Sequence, residues 1–501
     1  MAKFKPLKNI SLGKYGPLNL QTLRLPHKKM QEHGHVIGAS KSGKTRLLAS
    51  LYIQYLQAGY SVICIDPQGG LVKLILAYLL HMGYFDTPGA FERLTYLDFA
   101  GAEELGLFMP FNVLKQEVVG TNGQTRPVPA HQVASNILEA CHRAWPELQQ
   151  GAAVFDTLLP DALTLLHHNN YPLIALAPLL DDEKFRYELV EKEPDYFLVS
   201  NFRNNYDAFK KVDQQIYAGS VKRRARQLTQ KPVLRYGLGQ SGNLLNFTKI
   251  MNDNKSLLIN LGGLDKDVMS LLGCLITTGL EQAALSRALL PEGTKFPTTI
   301  LMADEFTLFS DKSEAGFANG LSLTRQFGLD WIMAHQTWGQ FSARMKSAVQ
   351  NAGWEAIFRA GPDDADYSAK YVSTFDPTVT KEEEETSEDT RALKGFLQLQ
   401  EQTKLVSQEI RDLKRRHFKY RSPEGKVADL ITLDLPDPPI DREALGEIKR
   451  YYLSHCFRPQ EEIEKEIYPF TWGRLEKKPS ALPAYASYLK DPDEDDSLDN
   501  T

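Results

Sequence analysis

The segment GASKSGKT, residues 38–45, contains the residue types that bind phosphate groups. Its glycines allow the main chain to turn tightly, so that backbone amides converge on one anion. In this motif the lysine reaches the β and γ phosphates, and the hydroxyl that follows it ligates Mg²⁺. The spacing therefore predicts a site for a nucleotide phosphate with Mg²⁺, and we assign to it Gly38, Ala39, Ser40, Lys41, Ser42, Gly43, Lys44, Thr45 (also the metal ligand) and Arg46.

Two adjacent acidic residues provide a second chemical signal. Asp304 and Glu305 directly follow the apolar run TTILMA. Carboxylates that follow a buried parallel strand lie at the edge of the sheet where ligands bind. We predict that Asp304 holds Mg²⁺, through water or together with the Thr45 hydroxyl, and that Glu305 polarises the attacking water. An apolar strand that ends in Asp-Glu is common, but combined with the phosphate loop it indicates a nucleotide hydrolase.

An alternation of apolar strands and helices is predicted to position these residues. The run HVIG before Ala39 indicates a buried strand, and TRLLASLYIQYLQAG indicates a helix that ends at Gly59. Further strands are indicated by YSVICID, RLTYLDF, KSLLINLGG, PTTILMADEF, GLDWIMAHQ and WEAIFRA. This order predicts the α/β class, with a mostly parallel sheet flanked by helices.

The interval between Lys44 and Asp304 is longer than a minimal nucleotide-binding core requires. Residues 130–250 have apolar residues at helical spacing and few β-branched residues, which predicts an all-α insertion. The predicted regions are 1–129 (first part of the core, with the phosphate loop), 130–250 (insertion), 251–375 (second part of the core), 376–490 (helical and mixed C-terminal region) and 491–501 (acidic disordered tail).

The C-terminal region is expected to contain one long amphipathic helix and one more strand. The helix is predicted over residues 392–418, after a charge run at 381–390, with an apolar stripe formed by Leu405, Val406, Ile410 and Leu413. The strand is predicted in ADLITLDLPDPP, where the prolines end it.

Composition and charge limit the classes of function. The chain has 501 residues, 42% of them hydrophobic, and a net charge of -5, which gives no overall attraction to nucleic acid. Two runs, 221–235 and 411–421, are locally basic, although such runs are more often solvated helix faces than binding sites. The four cysteines lie far apart, which indicates buried thiols rather than a zinc site or disulfides. Because charges interrupt the apolar runs, and no signal peptide is evident, we expect no membrane span and a cytoplasmic location.

Four motifs together are similar to a known pattern. GASKSGKT, VICIDPQGG, TTILMADEF and RQFGLDWIMAHQT resemble the HerA/FtsK superfamily of P-loop motor ATPases, most of all the TraG/TraD-type conjugative coupling proteins. The resemblance covers roughly residues 30–375 and implies a RecA-like core. Asp66 matches the Asp-Pro strand end of the family, and Asp304 and Glu305 match its metal-binding and catalytic carboxylates. Gly70 stands where the family often has an acidic residue.

The resemblance also implies roles for a glutamine and an arginine. Gln336 matches the glutamine that faces the γ phosphate, where a neutral amide can bind phosphate or water and report the nucleotide state. A capping glutamine in a surface loop is the alternative. Motors of this superfamily use an arginine from the neighbouring subunit, and both Arg325 and Arg359 match that role. The sequence leaves the choice open, and each is equally compatible with a structural salt bridge.

The function implied by the resemblance is ATP-driven translocation of DNA by a homo-hexameric ring that hydrolyses ATP between subunits. ATP and Mg²⁺ are the implied cofactors, and DNA, bound independently of sequence, is the implied partner, with secretion or DNA-processing proteins as further partners. Any recruitment to the membrane is expected to come through a partner. The alternatives are a VirB-type secretion ATPase, which powers protein export or pilus assembly without DNA, and a regulatory scaffold that binds ATP without useful hydrolysis. The intact Lys44, Thr45, Asp304 and Glu305 argue against the scaffold.

Overall fold

The computed structural model describes residues 7–119, 125–145, 153–310, 321, 323–373, 376, 378–379, 397–435, 438–439 and 441–470. Its centre is an 11-stranded sheet. In chain order the strands are β1 (Asn9–Tyr15), β2 (Gln21–Pro26), β3 (Gly34–Ile37), β4 (Ser61–Asp66), β5 (Leu94–Asp98), β6 (Ser256–Asn260), β7 (Thr299–Ala303), β8 (Leu329–His335), β9 (Trp354–Phe358), β10 (His417–Arg421) and β11 (Val427–Ile431). Their spatial order is β2-β1-β11-β10-β9-β3-β8-β7-β4-β6-β5.

The strands from β9 to β5 in this order are parallel, and β10, β11, β1 and β2 continue the sheet as antiparallel strands. Strands β3, β4, β6, β7, β8 and β9 are buried at every position, as apolar runs covered by helices on both faces should be. The predicted α/β class, with a mostly parallel sheet of the RecA-like P-loop type, is therefore confirmed.

The longer helices are α1 (Lys44–Gln57), α2 (Gly70–His81), α3 (Ala130–Ala144), α4 (Ala153–His168), α5 (Gly219–Gln230), α6 (Lys266–Leu285), α7 (Pro362–Val372), α8 (Leu399–Asp412) and α9 (Arg442–Cys456). Shorter α-helices span Ala90–Arg93, Phe99–Glu104, Leu176–Asp181, Glu183–Val190, Tyr196–Ser200, Lys211–Tyr217, Pro232–Gly237, Phe247–Asn252, Thr307–Ser310, Ala343–Gln350 and Gln460–Ile467. Two small antiparallel pairs join Leu107–Phe108 to Arg458–Pro459 and Glu117–Val119 to Thr125–Pro127.

Between α3 and Asn252, in the region predicted as an all-α insertion, the described residues form helices joined by turns and loops, with one isolated bridge from Asn243 to Phe111. A buried ion pair ties this region to the core, because the Arg143 guanidinium lies 2.8 Å from the Glu281 carboxylate of α6. By length and composition alone, the segment Lys266–Leu289 is apolar enough to cross a membrane, but 83% of its apolar window is buried inside the protein. The apolar surface of α6 is therefore used within the fold. The exact boundaries of the predicted regions stay a prediction.

The C-terminal region differs in part from the sequence prediction. The amphipathic helix ends at Asp412, and residues predicted to continue it form β10 instead, because they pair with β9. Of the predicted stripe, Ile410 is fully buried but Leu405 is 47% exposed. The strands β1, β2 and β10 were not predicted, whereas β11 lies where ADLITLDLPDPP predicted a strand. The charge run at 381–390 and the acidic tail lie outside the described residues.

Candidate nucleotide-binding site

The predicted motifs lie at the carboxyl ends of three neighbouring parallel strands. The phosphate loop follows β3, Asp304 follows β7, and Gln336 follows β8, which lies between them. Helix α1 begins at Lys44, directly after the loop. The first amides of a helix have no intrahelical acceptor, and the helix dipole is positive at that end, so this arrangement attracts an anion.

The shape of the loop requires glycine at both ends. A Cβ atom on Gly38 would lie 2.5 Å from the Cβ atom of Phe358. Gly43 has a φ of +126°, and a Cβ atom there would lie 3.0 Å from the Cα atom of Arg416. The main chain is braced on both sides, since Ala39 N donates to the carbonyl oxygen of Arg359 (2.8 Å) and Arg416 N donates to that of Ser42 (2.7 Å). The segment after β9 and the turn before β10 therefore fix the backbone of the phosphate loop.

Lys44 and Ser42 have the properties expected of phosphate ligands. Lys44 is buried, and its ammonium group donates to the carbonyl oxygens of Gly38 and Ala39. Burial lowers the pKa of Lys44, while the nearby carboxylates of Glu305 and Asp304 act in the opposite direction. The Ser42 hydroxyl is buried without a hydrogen-bond partner in the described part of the chain. A buried ammonium group and an unpaired hydroxyl in one loop fit a phosphate group, which would satisfy both.

The carboxylates beside the loop fit a divalent cation. Burial, followed by the charges of Asp66 and Glu305, raises the pKa of Asp304 to about 7, and Lys44 offsets only part of this. Acidic groups crowded in a buried place repel one another, and a cation between them removes that repulsion. Thr45 is exposed at the first turn of α1. Thr45 and Asp304 are thus the residues that would hold Mg²⁺.

Asp66 is held by the main chain at the start of α2. One of its carboxylate oxygens accepts from Gln68 N (2.9 Å) and the other from Val72 N (3.0 Å). The side chain is fully buried. Asp66 therefore acts on the site through its charge and through the loop that it shapes.

Gln336 joins the phosphate loop to the carboxylate of Glu305. Its Nε2 donates to Glu305 Oε1 (2.6 Å), and its Oε1 accepts from the Ser40 hydroxyl (3.0 Å). Glu305 has a φ of 48°, a left-handed conformation that is unfavourable for a residue other than glycine. Such strain is frequent where a side chain must point in one direction for function. The arrangement brings a carboxylate and a neutral amide together beside the phosphate loop.

The structure separates the two arginine candidates. Arg359 follows β9, and its backbone carbonyl belongs to the loop cradle of its own subunit, while its side chain is exposed. Arg325 precedes β8 at the opposite end of the sheet, where its guanidinium lies 2.9 Å from Glu32 and its side chain is 50% exposed. Arg325 therefore does not join the other predicted residues within one chain.

Arg46 also points away from the loop. Its guanidinium donates to the Tyr78 hydroxyl and to the carbonyl oxygen of Leu435, both at 2.9 Å. Arg46 thus connects α1 to α2 and to the segment after β11. Its predicted contact with the nucleotide stays a prediction.

Sequence reasoning missed the residues that fix the backbone after Gln336. The Thr337 hydroxyl donates to Asp364 Oδ1 (3.0 Å), and Trp338 N donates to the same oxygen (2.8 Å). Asp364 lies in the first turn of α7, far from Gln336 in sequence. Only its position in the first helical turn, where aspartate is common, is visible in the sequence, so no motif indicated this contact.

The basic runs are largely neutralised within the chain. On α5, Lys222 and Arg226 lie 2.9 Å and 3.7 Å from Asp181, and Arg224 lies over the ring of Trp145. The second run has ion pairs in which the carboxylate partners are Asp366, Asp434, Asp429, Glu409 and Glu355. These contacts favour the interpretation of both runs as structural or solvated faces.

Two solved structures are similar to this chain over most of its length. The bacterial conjugative coupling protein TrwB, without its first 70 residues, matches with a TM-score of 0.51 and 12% identity, over 85% of this chain and 91% of that chain. VirB4 of Thermoanaerobacter pseudethanolicus matches with a TM-score of 0.53 and 12% identity, over 86% of this chain and 97% of that chain. The chain shares their fold. No family model matches the sequence, and no curated protein matches it.

At this level of identity the likeness concerns the fold. The resemblance to P-loop coupling proteins that four short motifs predicted is thereby confirmed in the architecture, including the region outside the motifs.

Proposed function

We propose that the chain is an Mg²⁺-dependent ATP hydrolase that works as a DNA-translocating motor of the conjugative-transfer type. The observation that supports this most is the bridge from Ser40 through Gln336 to Glu305, directly beside Lys44. In this proposal Glu305 is a general base and Gln336 a polar amide, both beside the γ phosphate of a nucleotide bound in the loop. The fold shared with a bacterial conjugative coupling protein supports the transfer of DNA.

Each residue has a distinct task in this proposal. Lys44 and the loop amides bind the phosphates, and Thr45 and Asp304 hold Mg²⁺, which when bound neutralises phosphate charge. Glu305 accepts the proton of the attacking water. Gln336 orients that water and holds Glu305 in place when no nucleotide is bound.

The motor is proposed to be a homo-hexameric ring in which each site is completed by a neighbour. An arginine that acts in trans has to lie away from the site of its own subunit. Arg325, exposed at the far end of the sheet, meets that requirement, whereas Arg359 shares its backbone with its own phosphate loop. We also propose a cytoplasmic location, with recruitment to the membrane and to DNA-processing or secretion proteins through partners.

The test is steady-state ATP hydrolysis without DNA, with single-stranded DNA and with duplex DNA, at low and high salt. Stimulation by one form of DNA is expected, and high salt should weaken it because contacts with phosphates release counterions. Glu305→Gln should bind nucleotide, and its turnover should be far slower than that of the wild type under all conditions. Absence of hydrolysis in the wild type with every DNA would contradict the proposal.

The second candidate is a secretion ATPase of the VirB type. The likeness to VirB4, which covers 97% of that chain, favours it, and so do the paired cations of the two basic runs. Hydrolysis that depends on Glu305 but ignores both forms of DNA would support this candidate.

A further inference from the structure

A chain of buried polar side chains runs beneath the site, across four adjacent strands. It begins at Arg421 on β10, whose Nε donates to Glu355 Oε2 on β9 (2.8 Å). Glu355 Oε1 lies 3.2 Å from Nδ1 of His35 on β3, and His35 Nε2 lies 2.7 Å from His335 Nε2 on β8. His335 Nδ1 lies 3.1 Å from the carbonyl oxygen of Thr337. Both imidazoles and the glutamate are almost completely buried.

The groups at the two ends of this hydrogen-bonded chain determine how many protons it must hold. An ionised carboxylate and a carbonyl oxygen only accept hydrogen bonds, so the imidazoles must donate at both ends. The contact between the two Nε2 atoms needs a further proton. The three hydrogen bonds that lead from Glu355 through the two imidazoles to Thr337 thus need three protons, whereas two neutral imidazoles supply only two. The chain therefore holds one additional proton.

The surroundings assign that proton to His35. Burial and the nearby His35 lower the pKa of His335 well below its usual value, so His335 is neutral. Although burial alone would raise it, the contacts with His35 and Arg421 lower the pKa of Glu355, so Glu355 is ionised. The charged and titratable groups around His35 are Glu355 from β9 and His335 from β8, with Arg421 behind the former and Lys44 near the latter.

The chain ends where Gln336 is positioned. Gln336 lies between His335, which is part of the chain, and Thr337, whose carbonyl oxygen is its last acceptor. Asp364 holds the same backbone from the other side. Without the additional proton, two acceptors would face each other, either between the rings or at Thr337. The first arrangement would push His335 away from His35, and the second would break the bond from His335 to Thr337 O, so in both cases a restraint on the backbone that carries Gln336 is weakened.

We propose that His35 and His335 are positioning residues for Gln336, acting through a protonated hydrogen-bond chain that extends to Arg421 in the C-terminal hairpin. The role of Gln336 in hydrolysis belongs to the function proposed above, and the positioning deepens it. Above the pH at which the additional proton leaves, Gln336 is no longer held against Glu305. Turnover then falls, while nucleotide affinity, which depends on the phosphate loop, is kept.

The first test measures the protons in the nucleotide-free protein. In a ¹H–¹⁵N correlation spectrum of histidine-labelled protein at pH 7, three of the four ring nitrogens of His35 and His335 should carry protons. His33, directly before β3, is an internal control, because it donates to Leu321 O (2.5 Å) and accepts from Trp331 N (3.0 Å), which needs only a neutral ring. Only two protons on the four ring nitrogens of His35 and His335 would overturn the proposal.

The second measurement follows the Gln336 side-chain amide in the same nucleotide-free protein. Its resonance, assigned by its loss in Gln336→Ala, should shift with pH at the midpoint at which the additional proton leaves the pair of imidazoles. A Gln336 amide that ignores this titration overturns the positioning role. Because no nucleotide is involved, this result stands even if the protein proves not to hydrolyse ATP, which would contradict the proposed function instead.

The third test uses turnover. For the wild type, kcat should fall by about 10- to 100-fold through the alkaline transition, as is usual when a supporting contact is lost, while KM for Mg-ATP stays constant. In His335→Asn the amide can still donate to Thr337 O, but the bond to His35 is gone, so the alkaline fall should disappear. If kcat of this variant fell at alkaline pH as much as that of the wild type, the proposed role of the hydrogen-bonded chain would be contradicted.

If His335→Asn does not fold, Arg421→Gln provides the test at the outer end, where the side chain is 20% exposed. Loss of this positive charge strengthens proton binding by the Glu355–His35 pair. The fall in kcat at alkaline pH should therefore shift to higher pH, whereas general destabilisation would shift it to lower pH. A fall that keeps its midpoint or shifts to lower pH would overturn the proposal.

Discussion

The two ends of the parallel sheet each contain a buried aspartate with a pKa of about 7, but for different reasons. At the carboxyl end, burial is joined by the charges of Asp66 and Glu305, which raise the pKa of Asp304 further. At the amino end, burial dominates for Asp330, Arg325 lowers its pKa, and Glu32 adds only a smaller rise. The crowded carboxylates around Asp304 therefore indicate a site for a cation. The single buried carboxyl group of Asp330, beside an arginine, indicates a region of structural charge pairing.

The two ends of the sheet also differ in their positively charged residues. The carboxyl end contains the phosphate loop, and among the described residues Lys44 is the cation that lowers the pKa of Asp304. The amino end presents Arg325 on the surface with no nucleotide motif of its own. In a ring, the amino end of one subunit is therefore suited to complete the carboxyl end of the next, and the following experiments test this complementarity.

Arg325→Ala is expected to have the largest effect. If Arg325 acts on the transition state of a neighbouring subunit, kcat should fall by about 10³- to 10⁵-fold with nucleotide affinity unchanged. ATP hydrolysis and calorimetric titration with nucleotide measure the two quantities. Glu32→Gln, which breaks the same ion pair but keeps the arginine, should remain active. Loss of turnover in Arg359→Ala, with normal turnover in Arg325→Ala, would reverse the assignment.

Glu305→Gln should lower kcat by roughly 10²- to 10⁴-fold, because the general base is lost. ATP should stay bound, since the phosphate loop is intact, and single-turnover and binding measurements separate the two effects. Asp330→Asn is the matched change at the other end of the sheet and should keep turnover. Normal hydrolysis by Glu305→Gln would show that another group is the base.

Lys44→Ala should weaken nucleotide binding by about 10- to 100-fold, the range expected from loss of about 1.5 to 3 kcal/mol of charge-assisted hydrogen bonding. Lys41 is assigned to the loop through its backbone amide, and its side chain is exposed, so Lys41→Ala keeps that amide and is the control that should bind nearly normally. Equal losses in both variants would indicate a nonspecific effect of charge on the loop.

The smallest expected effect, taken per pH unit, is a pH dependence of Mg²⁺-nucleotide binding. A carboxyl group with a pKa raised to about 7 is protonated below that pH, so protons compete with Mg²⁺ at Asp304. Affinity for Mg-ADP should therefore fall by about tenfold per pH unit below pH 7 and level off above it. Asp330→Asn should leave this slope unchanged, because the similar pKa at the amino end is not linked to the cation. Titration calorimetry from pH 5 to pH 8 distinguishes the cases.

Much of the core could be predicted because its signals are local. The phosphate loop, the strand before it and the helix after it form one continuous segment, and burial on both faces makes parallel strands visible as apolar runs. The antiparallel strands were harder to predict. His417–Arg421 follows an amphipathic helix with basic residues, and it becomes β10 only because β9 offers an edge for pairing.

The sequence by itself determined the chemistry of the site, since GASKSGKT, Asp304, Glu305 and Gln336 are the residue types that phosphate, Mg²⁺ and water require. Tertiary structure alone decided how they act together. The contact of Gln336 with Ser40 and Glu305, the position of Arg325 at the far end of the sheet, and the buried chain through His35 depend on which strands are neighbours. Strand order is set by long-range packing, and no local pattern in the sequence encodes it.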